Sequence, residues 1–220
     1  RAALRGISAY REVTNTTVLG GIWMMLDALY QKNGEEALEE YVSRFYVLRS
    51  DGYEGLGDWL WDWLRYNETP YSRLIDQGKS DPALENAARR DIDTLVLLAQ
   101  TDCDRFIDAM KPLLGDEYAA ALAGLPRWRA AAPFDFDSVT QFYRDHGAGL
   151  FAKYRAFLWE DGTLVPVADP DCPQPEDLLG YEHQRGQVEQ NTRLMIAGRQ
   201  ANNVLLFGDG GTGKSATVKS

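Results

Sequence analysis

The stretch NVLLFGDGGTGKSATVKS, Asn203 to Ser220, decides the fold. Val204 to Phe207 are apolar at four successive positions. A strand with no polar face belongs inside a parallel sheet covered on both sides. Gly208 to Ser215 then fit the pattern G-x-x-x-x-G-K-[ST] without a mismatch. Glycines let the backbone curl so that successive amide N–H groups point inward at phosphate oxygens. A helix opening behind such a loop adds its positive end. In this pattern the lysine reaches the β- and γ-phosphates and the hydroxyl residue holds Mg²⁺. Strand, loop and helix of a P-loop NTPase are therefore expected. Gly208, Gly210, Gly211, Thr212, Gly213, Lys214, Ser215 and Ala216 would surround the phosphates of ATP, and Ser215 would take the Mg ion. Asp209 stands at a variable position and receives no role.

Upstream, residues 1–132 read as a helical N-terminal domain. After the cap cluster Thr14-Asn15-Thr16, apolar residues from Val18 to Leu29 recur at helical spacing around most of the circumference, which predicts a helix buried on more than one side. Gly34 and two glutamates open a second helix, with Leu38, Tyr41, Val42, Phe45 and Leu48 as its apolar stripe. In Gly55 to Pro70, Trp59 and Trp63 share a face with Leu56, Leu60 and Leu64 and are read as core; Trp61 falls near the opposite side, as core or as a surface anchor. Asp81-Pro82 is a strong helix start, followed by Leu84, Ala88, Ile92, Leu95, Val96 and Ala99 as an apolar face. Asp102 and Asp116 restart helix.

Residues 133–177 change texture. A short helix is expected over Ser138 to His146, then a β-hairpin from Phe151 to Val167 with its turn at Asp161-Gly162. A proline-rich connector runs to Pro175. Residues 178–220 are expected to be the start of a P-loop ATPase domain, with a helix over Glu182 to Gly198 and a strand over Asn203 to Phe207.

The charge balance excludes other classes. A formal net charge of -10 argues against sequence-independent nucleic-acid binding and against an electrostatic grip on anionic lipid. No run approaches the apolar length of a membrane helix, so a cytoplasmic location is expected. Cys103 and Cys172 match no metal-ligand spacing and fit a reducing compartment. His146-Gly147-Ala148-Gly149 lacks the G-x-S-x-G partner that a hydrolase would need.

Residues 176–220 resemble the opening of an AAA+ ATPase module: an acidic–apolar–Gly element, Asp177-Leu178-Leu179-Gly180-Tyr181, then a helix, a spacer, a strand and the P-loop. More narrowly, Glu189-Gln190-Asn191-Thr192, Ala201-Asn202-Asn203-Val204 and the Gly-Thr-Gly-Lys-Ser core resemble a bacterial family known as domain of unknown function 815. The passage HGAGLFAKYRAFLW extends the likeness upstream. The resemblance implies that Gly180 and Tyr181 lie near the adenine. It also implies a mainly α fold carrying the first βα element of a truncated α/β P-loop domain. The acidic strand, sensor, arginine finger and lid of such a module all follow its P-loop, so residues 1–220 are expected to be an N-terminal portion that does not itself hydrolyse ATP. The intact ATPase would bind and hydrolyse ATP with Mg to remodel or move a protein partner held by the helical domain, as a homo-oligomer. The alternative is a helical protein-interaction module with a non-functional P-loop tail, which would pack against the helical domain, pair with another chain or sit distorted.

Overall fold

Capping side chains mark where most of the longer helices begin. Thr16 accepts a hydrogen bond from Leu19 N, Asn33 from Glu36 N, Asp81 from Ala83 N and Leu84 N, and Asp102 from Asp104 N. Thr69 with Ser72, and Asp135 with Ser138, close reciprocal capping boxes. The computed structural model describes residues Arg1–Ser220 in two units, Arg1–Arg155 and Ala156–Ser220.

The first unit is all helical: α1 (Ala2–Arg5), α2 (Thr17–Tyr30), α3 (Gly34–Ser50), α4 (Leu56–Tyr66), α5 (Pro70–Asp76), α6 (Pro82–Ala99), α7 (Cys103–Met110), α8 (Ala119–Ala123), α9 (Phe136–His146) and α10 (Leu150–Lys153). Every buried apolar side chain of the protein lies between Leu4 and Tyr143. Trp128, Phe134 and Phe136, in and beside a passage whose composition resembles a linker, all enter this core. Trp61 is half-buried and stacks on Phe134, ring centroids 6.0 Å apart.

The α3 stripe is rotated from its expected position. Ala37, Tyr41, Arg44 and Leu48 face inward, while Val42 is exposed. Arg44 enters because Gly21 of α2 has no side chain where the guanidinium lies. Its Nη1 donates to the Thr17 carbonyl, Nη2 donates to Ser43 Oγ at 2.8 Å, and Glu40 lies 3.4 Å away. A buried guanidinium with that many partners breaks the apolar period without leaving a bare charge.

Three tyrosines tie α4, α5 and α9 to the N-terminal segment. Tyr143 donates to Leu64 O at 2.6 Å, and Tyr71 meets Thr140 Oγ1 at 2.8 Å. Tyr10 and Tyr71 pack edge-on at 6.4 Å. Burial pushes the Tyr10 and Tyr143 phenols up, and the Tyr53 phenol is pushed up to about 12 by burial and by its bond to Asp62. These phenols keep their protons longer in the folded chain than in the unfolded one. The native state therefore binds more protons above about pH 10, and stability falls as pH rises through the folded values. An absorbance titration at alkaline pH should show part of the tyrosine signal appearing only together with loss of the helical circular dichroism.

The second unit contains β1 (Ala156–Glu160), β2 (Thr163–Val167), α11 (Glu182–Ile196) and α12 (Lys214–Lys219). β1 and β2 form an antiparallel hairpin in the register Leu158↔Val165 and Trp159↔Leu164. Its two-residue turn takes positive φ at Asp161 (47°) and Gly162 (83°), which matches the twist of the strands. The expected strand start at Phe151 is instead helix α10. This hairpin is the only sheet. The parallel sheet expected to begin at Asn203–Phe207 is not formed, and the truncated α/β P-loop architecture is corrected to a mainly helical domain with a short antiparallel hairpin. The physical reason is that an apolar run becomes a strand only by exchanging ladder hydrogen bonds with a neighbour. Residues 203–207 have no such neighbour and remain irregular. No helix is long and apolar enough to cross a membrane.

Candidate functional site

Helix α11 and the chain that follows it build the site. Gly180 (φ 76°) and Tyr181 (φ 57°) take successive left-handed conformations that turn the connector into α11. Arg185 Nη1 holds the turn by donating to Pro175 O at 2.8 Å. At the other end Gly198 (φ 66°) takes the left-handed position, and Arg199 N donates back to Leu194 O at 2.9 Å, so the chain reverses. The Asn191 side chain then grips the returning backbone: Nδ2 donates to Asn202 O and Oδ1 accepts from Asn202 N, both at 2.8 Å. Asn191 supplies the pair of bonds that a neighbouring strand would offer, but only at one residue. Beyond it Val204, Leu205 and Phe207 stand exposed, Phe207 at 89%.

Between α11 and this segment lies a cleft of about 790 Å³, lined by Tyr181, Val188, Asn191, Phe207 and Lys214 among others. Its size is that of a small-molecule pocket. Gly208 (φ 143°), Gly211 (φ 78°) and Gly213 (φ 77°) give the loop its curvature, in conformations closed to side chains. Thr212 Oγ1 donates to Asp209 O at 2.9 Å. Lys214 Nζ points back into the loop, donating to Gly208 O at 2.9 Å, to Asp209 O at 2.5 Å and to Thr212 Oγ1 at 3.1 Å. An ammonium has three donors. All three are engaged by the loop's own oxygens.

Of the residues expected to bind ATP and Mg, the structure brings Tyr181, Gly208, Thr212 and Lys214 to the wall of one cleft. Gly180, Gly210, Gly211, Gly213, Ser215 and Ala216 belong to the turns and the short helix around it, and Ser215 is exposed. No group of three or more His, Cys, Asp or Glu side chains gathers at a metal-holding distance. The G-x-x-x-x-G-K-S pattern is present in sequence, but the loop follows irregular chain rather than a strand, and α12 behind it has six residues. The strand–loop–helix of a Walker A P-loop is thus not formed. The nucleotide-binding AAA+ description and the ATP-hydrolysing function that rested on it are overturned by the fold. The Asn191–Asn202 clasp was not legible as an interaction, because its partners are eleven residues apart and match no helical or strand period.

The fold and site define a mainly helical protein whose second unit carries a hairpin and a glycine-rich loop. Residues 152–220 match the family model described as Protein of unknown function (DUF815). That match spans the hairpin, the connector, α11 and the loop, so this stretch is similar to that family. Neither a curated protein nor a solved structure matches the chain.

Proposed function

We propose that the chain is a helical protein-interaction module, with the unit Arg1–Arg155 as the part that a protein partner recognises and the glycine-rich tail taking no catalytic part. The observation that carries the proposal is the outward face of α3. Val42 and Tyr46, 44% and 71% exposed, stand one helical turn apart on a face that also bears Glu35, Glu39 and Arg49. An aromatic with an aliphatic neighbour inside a polar surround is the composition of an interface centre and its rim. The self-engaged Lys214 supports the second half of the proposal, because a phosphate would have to displace three hydrogen bonds to reach it.

One experiment with two arms tests this. Calorimetric titration of ATP with Mg²⁺ is expected to give no micromolar binding. Micromolar affinity that disappears in Lys214→Ala would defeat the proposal for the tail. Quantitative affinity enrichment is expected to retain at least one protein on the wild-type chain that is lost from a Val42→Asp/Tyr46→Asp variant with unchanged circular dichroism. Identical retention by both would remove the α3 face from the account.

A further inference from the structure

A second cavity, of about 480 Å³, lies in the first unit and is lined by the N-terminal segment and α2. Leu4 and Leu19, 5% and 1% exposed, contribute apolar surface to it. Trp23 is half-buried and lines it as well. Arg5, Arg11, Thr14 and Asn15 complete its polar lining. The guanidinium of Arg5 sits 5.1 Å from the Trp23 ring centroid. A guanidinium stacked on a ring keeps its N–H edges available for an oxyanion, to which it can donate two parallel bonds. Thr14 Oγ1 donates to Arg11 O at 2.8 Å and so fixes the turn from which Arg11 projects.

The protein is acidic overall, and Arg1, whose guanidinium lies 5.7 Å from the Trp23 ring centroid, pairs with Asp27. Arg5 and Arg11 have no carboxylate within the 4.0 Å of an ion pair. Two guanidinium groups without a carboxylate partner thus line the same cavity as an indole and two leucines. The volume far exceeds that of a bare inorganic anion and falls in the range of small-molecule sites.

We propose that this cavity binds a small organic oxyanion, a phosphate monoester or carboxylate attached to a ring or short apolar body. The head lies against Arg5 and Arg11, and the body lies against Trp23 and the leucines.

The test follows the indole N–H of Trp23 by NMR, identified through Trp23→Phe, during titration of the whole chain with phenyl phosphate, benzoate, inorganic phosphate and phenol. Phenyl phosphate and benzoate are expected to give saturable shifts with dissociation constants of about a millimolar or below. Inorganic phosphate, lacking the body, and phenol, lacking the charge, are each expected to bind at least about tenfold more weakly. The tighter of the two aryl anions identifies the head group. Arg5→Ala and Arg11→Ala are each expected to weaken that probe about five- to tenfold, while Arg73→Ala, at an exposed pair with Glu68, leaves it unchanged. Absence of saturation with both aryl anions by about 20 mM overturns the proposal. So does inorganic phosphate binding as tightly as phenyl phosphate, or binding that survives both arginine substitutions. The arginines are exposed, so their removal leaves the fold intact and an effect on binding is interpretable.

Discussion

Asp91→Ala is expected to destabilise the first unit by about 3–5 kcal/mol, the largest effect of any single polar substitution in the protein. Asp91 sits on the inward face of α6 at 1% exposure. One of its oxygens, Oδ2, accepts from three successive backbone donors, Ser8 N and Ala9 N at 2.7 Å and Tyr10 N at 3.3 Å. Three consecutive N–H groups converging on one carboxylate form an anion nest. The neighbouring Arg90 adds bonds to Gly6 O and Ser8 Oγ, so α6 holds the whole segment from Gly6 to Tyr10. Truncation leaves buried donors without an acceptor, and such orphaned groups cost about 1–3 kcal/mol each before any water enters. Tyr10, fully buried against Trp63 and Tyr71, would lose its backbone anchor at the same time. Chemical denaturation should show a lowered midpoint, and amide exchange should accelerate first at Ser8 to Tyr10. Asp91→Asn keeps an acceptor oxygen and should lose about half as much. Equal losses for Ala and Asn would show that charge, rather than the three bonds, is what matters there.

Gly57→Ala should cost about 2–3 kcal/mol, although alanine favours helix over glycine by about 1 kcal/mol. Gly57 lies in the first turn of α4, where the passage from Trp128 to Phe134 crosses it. A methyl group there would run into the carbonyl of Ala131 and lie 3.2 Å from Pro133 Cδ. The obstacle is backbone, so no rotamer change relieves it. Either α4 shifts, loosening Trp59 and Leu60, or the crossing strand of chain lifts and exposes Trp128 and Phe134. Gly186 is the matched control. It lies in α11 with nothing within 4 Å of its would-be methyl, so Gly186→Ala should stiffen that helix by about 0.5–1 kcal/mol. Thermal melts of the two variants should therefore move in opposite directions. A neutral Gly57→Ala would mean that the crossing chain yields readily.

Helix starts were the most legible part of the fold, because a cap is a local event. Asp81-Pro82, Asp102 and Gly34 with its glutamates each announce a helix through residues within one turn. The hairpin turn was equally local, since Asp161-Gly162 carries the conformational preference itself. The α3 stripe was legible only to within a rotation. Apolarity cannot show that α2 offers a glycine opposite position 44, and that opening admits Arg44 in place of Val42. Asp91 escaped for a related reason: one carboxylate on an apolar helix face looks like an interruption until the N-terminal donors arrive from more than eighty residues away.

The tail divides the two kinds of information most clearly. Gly208 to Lys214 specify a curved loop from their own chemistry, and the left-handed glycines follow from it. Whether Val204 to Phe207 become a strand is not contained in them, because ladder bonds need a second piece of backbone at the right distance. In this structure only Asn202 finds such bonds, from the Asn191 side chain, and the apolar residues beyond it remain exposed. By itself the sequence determined where helices begin, where the hairpin turns and which loop can curl. Tertiary structure alone decided that the apolar run is not a strand, that Lys214 satisfies itself, and that Arg5 and Arg11 share a cavity with Trp23. The strand and the cavity depend on how separate stretches of backbone meet, and the Lys214 contacts on how the loop closes on itself, while caps and turns depend on the preferences of neighbours within one turn.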